Sequence, residues 1–155
     1  MATYARPDPA PAAAAAYALK AALPDPDAVS WRLKAQKTMY GGKHIAAGDM
    51  VYLFESEHSG GRGLIARGIV RSAQACPRRP DLPRQTPRVS LTVDRQARAR
   101  QPLGRAQLRP FDQWDDGQPE TELNFKLYRQ ATDKLVGLSE AAAGRLAACF
   151  ADTDE

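Results

Sequence analysis

Few side chains in this sequence have the type and spacing that chemistry requires, and those that do suit binding better than turnover. His44 and His58 are its only histidines, and no Glu, Asp or Cys stands at metal-ligand spacing from them. Cys76 and Cys149 lie far apart without a CxxC pattern, so neither a zinc site nor a disulfide framework is expected. There is no GxSxG elbow and no P-loop. Gly60-Gly61-Arg62-Gly63 is glycine-rich, yet it precedes a strand, which suits a flexible hairpin better than a dinucleotide site. Glu55, Glu57 and His58 form the one acid–base cluster. They keep open an alternative, an enzyme acting on RNA or nucleotides. No cofactor and no metal are expected, and a binding module is the leading reading.

The aromatic and basic residues carry that reading. Trp31, Tyr40, Tyr52, Phe54, Trp114 and Tyr128 are spread over loops and strand ends. Aromatic walls can sandwich a flipped or single-stranded base, and each stack contributes on the order of 1–3 kcal/mol. Tyr52 and Phe54 lie in a strand and suit a core equally well. Trp31 and Trp114 have polar, loop-like surroundings that suit either pocket or core. Between Arg71 and Pro110 stand ten arginines opposed only by Asp81 and Asp94, a local net charge of +8. Arginine meets phosphate in bidentate fashion and stacks on bases, so a nucleic-acid partner follows. The expected pocket has Trp31, Phe54 and Trp114 as walls and Ser56 bonded to the base edge. Tyr40, Gly42, Lys43, Glu55 and Arg129 complete the ligand-binding set. Arg78, Arg79, Arg95, Arg98 and Arg100 are the expected phosphate contacts. Acids gather elsewhere, at Asp112, Asp115, Asp116, Glu120 and Glu122. A protein-interaction domain is the third alternative, distinguished by binding that salt does not weaken.

Short strands must position these groups. Met50–Phe54 is β-branched and aromatic between turns, which predicts a buried strand. Leu64–Val70 is its partner, and Gly68 within it marks a bulge or a close backbone approach. Pro77–Pro87 holds four prolines and reads as a loop. Arg88–Val93 alternates apolar and polar residues as a half-buried strand does. Tyr17–Leu23 reads as a strand or a helical turn, and Val29–Lys43 as a short strand or helix followed by a glycine loop. A short strand is expected near Ala106–Leu108, and the last strands at Asn124–Tyr128 and Lys134–Val136. Ser139 caps a C-terminal helix whose buried face is Ala142, Leu146, Cys149 and Phe150. The sum is α+β: a small mixed β-barrel of five or six strands with flanking helices.

The totals agree with that. A chain of 155 residues with 43% hydrophobic and 26% charged residues suits one domain. Lys and Arg number 22 against 18 acids, a net charge of +4. Residues 1–16 are mostly Ala and Pro and read as a disordered tail, leaving 17–151 as the domain. No apolar run approaches the ~18 residues that span a bilayer, and no leader-like apolar segment opens the sequence. No membrane partner is expected, and the cytoplasm is the expected compartment.

Three segments together resemble a known family. They are Val29-Ser30-Trp31, then Ile45-Ala46-Ala47-Gly48-Asp49-Met50-Val51 running on through Phe54-Glu55-Ser56, and Ile65-Ala66-Arg67-Gly68-Ile69-Val70. This is similar to the EVE domain of the PUA-like superfamily, which is related to the YTH and ASCH domains. Tyr128-Arg129-Gln130-Ala131-Thr132 and Leu138-Ser139-Glu140 resemble the end of that family, so the likeness spans roughly residues 17–150. It implies a mixed β-barrel with flanking helices and a nucleic-acid ligand, with a modified base held in an aromatic-walled pocket. By matched position it puts Trp31 at the family's early tryptophan, and Phe54 and Ser56 at its aromatic–Ser strand end. Tyr40-Gly41-Gly42-Lys43 departs from the family, which has an Asn-containing stretch there, and so does the arginine-rich Pro77–Arg109 region.

Overall fold

The computed structural model describes residues 16–151. Most of the expected tail lies outside that span, and Ala16, assigned to it, already opens a strand. Six strands close into a barrel: β1 (Ala16–Ala21), β2 (Ser30–Met39), β3 (Met50–Glu55), β4 (Gly63–Ala75), β5 (Arg88–Arg98) and β6 (Lys134–Leu138). Round the barrel the order is β1-β3-β4-β5-β2-β6. The β1–β3 and β2–β6 pairs are parallel, and the other four are antiparallel. This is the small mixed barrel with flanking helices that the sequence implies.

Alternation along the strands divides the core in two. One set, including Tyr17, Leu19, Trp31, Leu33, Val51, Leu53, Val89, Leu91, Val93 and Leu135, fills the barrel. The other, including Ala18, Tyr52, Phe54, Val136 and Leu138, packs under a helical layer through Leu123, Leu127, Leu146 and Phe150. That layer is α1 (Arg105–Leu108), α2 (Pro119–Leu123) and α3 (Glu140–Ala147), with α2 widening into a π turn over Asn124–Tyr128.

Two of the expected strands are therefore helical. Ala106–Leu108 lies in α1, where the side chain of Gln107 accepts from the Gly104 N–H (2.8 Å) and secures the first turn. Asn124–Tyr128 follows α2, which Pro119 opens at a position that tolerates proline. Other expectations hold. The Ser139 hydroxyl accepts from the Ala142 N–H at 3.1 Å and caps α3. The β4–β5 register shifts at Gly68, where a Cβ would stand 2.4 Å from the Asp94 carbonyl. Gly42 is needed for a similar reason. It is buried, and a Cβ there would meet the Leu135 carbonyl oxygen of β6 at 2.2 Å.

Candidate nucleic-acid interface

The exposed aromatic side chains gather where β2 ends. Tyr40 and Trp114 are 39% and 46% exposed, the only large aromatic rings among the described residues that open so far to water. Phe125, on the π turn, stands between them. Its ring centroid is 6.1 Å from that of Tyr40 and 5.4 Å from that of Trp114, both inclined as aromatic pairs prefer. The Arg129 guanidinium covers Phe125 at 4.2 Å, and the Lys126 ammonium lies 5.5 Å from the Tyr40 ring.

Local structure holds this row in place. Tyr40 has a backbone φ of 52°, a left-handed conformation that costs a non-glycine residue energy. The Gly137 N–H donates to its carbonyl (3.1 Å) and fixes it against β6. Gly41 continues the turn at φ 85°, and Lys43, two residues on, is exposed. The Asn124 amide donates to the Phe111 carbonyl (3.0 Å) and anchors the loop that carries Trp114. Lys126 donates to Glu122 (2.9 Å) and the Gly137 carbonyl (2.7 Å), which locks the π turn to the sheet.

Below the π turn lies a charged cluster on the sheet face. Lys20 of β1 and Lys134 of β6 are direct cross-strand partners, and both are buried. The Lys20 ammonium donates to the Leu127 carbonyl (2.6 Å), pairs with Glu57 (2.9 Å) and lies 4.8 Å from the Tyr128 ring centroid. Glu57 is shared with Arg105 at 3.1 Å. Burial alone would raise the Glu57 carboxyl, yet hydrogen bonds from Lys20, its own backbone and Arg105 outweigh it and hold it below the usual range. Burial pushes Lys134 down to about 8, helped by the positive charges of Lys20, Lys37 and Arg129 and opposed by Glu57.

This makes stability depend on pH in a defined window. An unfolded lysine keeps its proton to about 10.5, whereas folded Lys134 releases it near 8. Between those values the unfolded chain binds more protons, so stability rises with pH. The penalty is complete below about 8. Burial raises Tyr17 and Tyr128, and these act oppositely above about pH 10. Lys134→Met is expected to flatten the rise and to stabilise the protein at neutral pH, by on the order of 1–3 kcal/mol. Urea unfolding of both forms from pH 7 to pH 10 checks this, and parallel pH profiles would refute it.

The expected phosphate contacts do not form one face. β4 and β5 are a long hairpin, and the eleven residues of β5 separate its ends by roughly 30 Å. At the loop end, Arg78 and Arg79 join Lys37, Arg84 and Arg88 around a cleft of about 690 Å³ floored by Pro77, Leu82 and Pro87. Gln85 braces this loop, accepting from the Arg79 N–H (2.8 Å) and donating to the Leu82 carbonyl (2.9 Å). At the other end, Arg98 pairs with Asp27 (2.8 Å) and Arg95 donates to the Asp27 and Ala28 carbonyls (2.9 Å each). Arg100 lies at that end too, beside a shallower cleft of about 420 Å³. Lys37, at the loop end, and Arg129, beside Phe125, both add to the positive charge that acts on Lys134.

The three-walled pocket does not assemble around Trp31, Phe54 and Trp114. Trp31 is buried in the barrel, where its indole N–H donates to the Asp25 carbonyl (2.9 Å). Phe54 is fully buried on the opposite sheet face, edge-on to Tyr128 at 6.4 Å. Glu55 is buried and takes a two-pronged contact from Arg62 at 3.0 Å on each oxygen, which holds its carboxyl below the usual range. Buried Ser56 accepts from the His58 N–H (3.1 Å). The acid–base cluster is likewise spoken for, since Glu57 holds Lys20 and Arg105 and the His58 ring meets the Ala131 carbonyl (3.2 Å). Of the expected ligand set, Tyr40, Trp114 and Arg129 do come together, around Phe125, while Lys43 is exposed on the turn after Tyr40 and Gly42 is buried against β6. Phe125, Lys126, Lys20 and Lys134 were not foreseen. The aromatic–basic run from Phe125 to Arg129 is the one signal that pointed there.

No protein-family model matches the chain, and no curated protein matches it in sequence. Solved structures do match. The DUF55 domain of human thymocyte nuclear protein 1 is 11% identical, with a TM-score of 0.59 over 86% of this chain and 96% of that one. Human THYN1 protein in complex with 5-methylcytosine-containing DNA is also 11% identical, with a TM-score of 0.57 over 88% of this chain and 98% of that one. A protein from Pseudomonas syringae is 16% identical, with a TM-score of 0.54 over 88% of this chain and all (100%) of that one. The fold of this chain is that of the DUF55 domain of human thymocyte nuclear protein 1, a small closed mixed barrel with flanking helices.

Proposed function

We propose that this chain is a nucleic-acid-binding module that seats an unpaired or flipped base on the Tyr40–Phe125–Trp114 row. The observation that carries this reading is the row itself: three neighbouring rings, two of them well exposed, flanked by Arg129 and Lys126. Water-exposed aromatic area is costly unless something covers it, and a base is flat, apolar on its faces and attached to phosphate. Phosphates then run toward Lys37 and the cleft cations Arg78, Arg84 and Arg88. A methylated base suits the site because a methyl adds apolar area to the stack. That a fold neighbour is solved with 5-methylcytosine-containing DNA supports DNA as the partner to test first. Acid–base groups already tied to partners favour binding over catalysis.

The test is a titration of short single- and double-stranded DNA and RNA, with and without methylated bases, followed by fluorescence anisotropy. Affinity is expected to fall at least about tenfold between about 50 and about 200 mM salt, and to be highest for a methylated strand. Absence of binding to every oligonucleotide at low salt would overturn the reading.

A further inference from the structure

Four large hydrophobic side chains among the described residues are widely open to water: Val29, Tyr40, Leu82 and Trp114. Tyr40 and Trp114 belong to the aromatic row. Leu82 stands elsewhere, in the loop that joins β4 to β5, and with exposed Pro77 and Pro87 it floors the cleft of about 690 Å³. A single exposed leucine needs no explanation, but a concave apolar floor under a rim of five cations does. Bonds within the protein hold the loop in that shape. The Cys76 N–H donates to the Arg88 carbonyl (2.9 Å) and closes the neck of the hairpin. Arg78 donates to the Pro83 carbonyl (3.3 Å), Arg79 pairs with Asp81 (2.8 Å) and Arg88 donates to the Ala35 carbonyl (2.8 Å). Lys37 and Arg84 are left over. Neither has a side-chain hydrogen bond or an ion pair among the described residues.

We propose that this cleft is a second nucleotide subsite. The base of an unpaired nucleotide lies on the Pro77–Leu82–Pro87 floor, and its phosphate meets Lys37 and Arg84. This rests on the nucleic-acid reading and adds a second base where that reading has only phosphates. A nucleotide matches both halves of the cleft, since the base brings a flat π face to the floor and the phosphate brings charge to the rim. An acidic peptide would satisfy the rim and leave the floor wet. The cleft also lies within reach of a strand seated on the aromatic row. Lys37 and Tyr40 are three residues apart at the end of β2, about 10 Å at the rise of a strand. Between them the Thr38 N–H and hydroxyl both donate to the Pro87 carbonyl (3.0 and 2.7 Å). The cleft wall is thus tied to the strand that delivers Tyr40. That separation is roughly three stacked base steps, so one strand can occupy both places.

The experiment uses short single strands of equal length and charge in which every position is abasic except one thymidine, or two thymidines set apart by none, one or two abasic positions. Anisotropy titrations compare wild-type protein with Leu82→Ser, an exposed loop substitution whose urea midpoint is expected to match wild type. Wild type is expected to bind the best-spaced two-base strand about tenfold or more tighter than the one-base strand. Leu82→Ser is expected to bring the two-base strand down to the one-base level. Equal binding of one- and two-base strands by wild type, at every spacing, would overturn the second subsite while leaving stacking on the row intact. A two-base advantage that survives in Leu82→Ser would overturn it too, by placing the second base outside the cleft. Should no strand bind, the nucleic-acid reading fails and the subsite fails with it. Binding of a polyglutamate peptide that Arg84→Gln weakens, with the strands unaffected by either variant, would assign the cleft to an acidic protein partner instead.

Discussion

Trp114→Ala is expected to weaken oligonucleotide binding about 10- to 100-fold while barely changing the stability of the protein. The two effects separate because the ring is half open to water and meets the rest of the molecule mainly through Phe125, at 5.4 Å. Removing it costs the fold about 0.5–1.5 kcal/mol of aromatic pairing. A stacked base loses its platform outright. Trp114→Phe, which keeps a π face, is expected to restore most of the affinity. Anisotropy titrations of the three proteins, with their urea midpoints, make the comparison. Unchanged binding by Trp114→Ala would remove the row from the interface.

Phe54→Ala is expected to do the reverse, lowering stability by about 3–5 kcal/mol. Phe54 is fully buried between β3 and the helical layer, and truncation leaves a cavity lined by Tyr128 and the neighbouring core. Domains of this size are stable by only about 5–15 kcal/mol, so the loss is a large share of the whole. Trp31→Ala is expected to fall in the same range, with the Asp25 carbonyl losing its indole donor besides. Urea unfolding measures both. A Phe54→Ala protein of normal stability but impaired binding would return Phe54 to the ligand pocket.

The contrast between these variants marks what sequence can and cannot show. The barrel was legible because its strands are bounded by turns and alternate cleanly, as Arg88–Val93 does, and because Gly68 and Ser139 have single structural meanings. Trp31 was ambiguous only while its polar neighbours suggested a loop. In β2 it alternates with exposed Arg32 and Lys34, and the same pattern that makes the region look polar drives the ring inward. Asn124–Tyr128 defeated periodicity because a five-residue apolar–polar run fits either a strand or a helical turn, and only the packing of α2 against α3 decides. That error hid Phe125. Lys20 and Lys134 were invisible as a pair, since their meeting depends on β1 lying beside the last strand. The arginines read as one patch because neighbours in sequence are not neighbours along a hairpin.

The barrel's closing seam has a bearing on biogenesis. Ala16 pairs with Leu138, so the first strand cannot finish its pairing until the last has been made. Until β6 is made, β1 and β2 each lack the neighbour that closes the barrel, because β6 lies between them. Such long-range closure is slow to search, on the order of milliseconds to seconds for β-rich domains. During that interval the open edge is a template for pairing with other chains. A chain that stops before Lys134 lacks β6 and leaves the barrel one stave short, with edges of β1 and β2 open to such pairing.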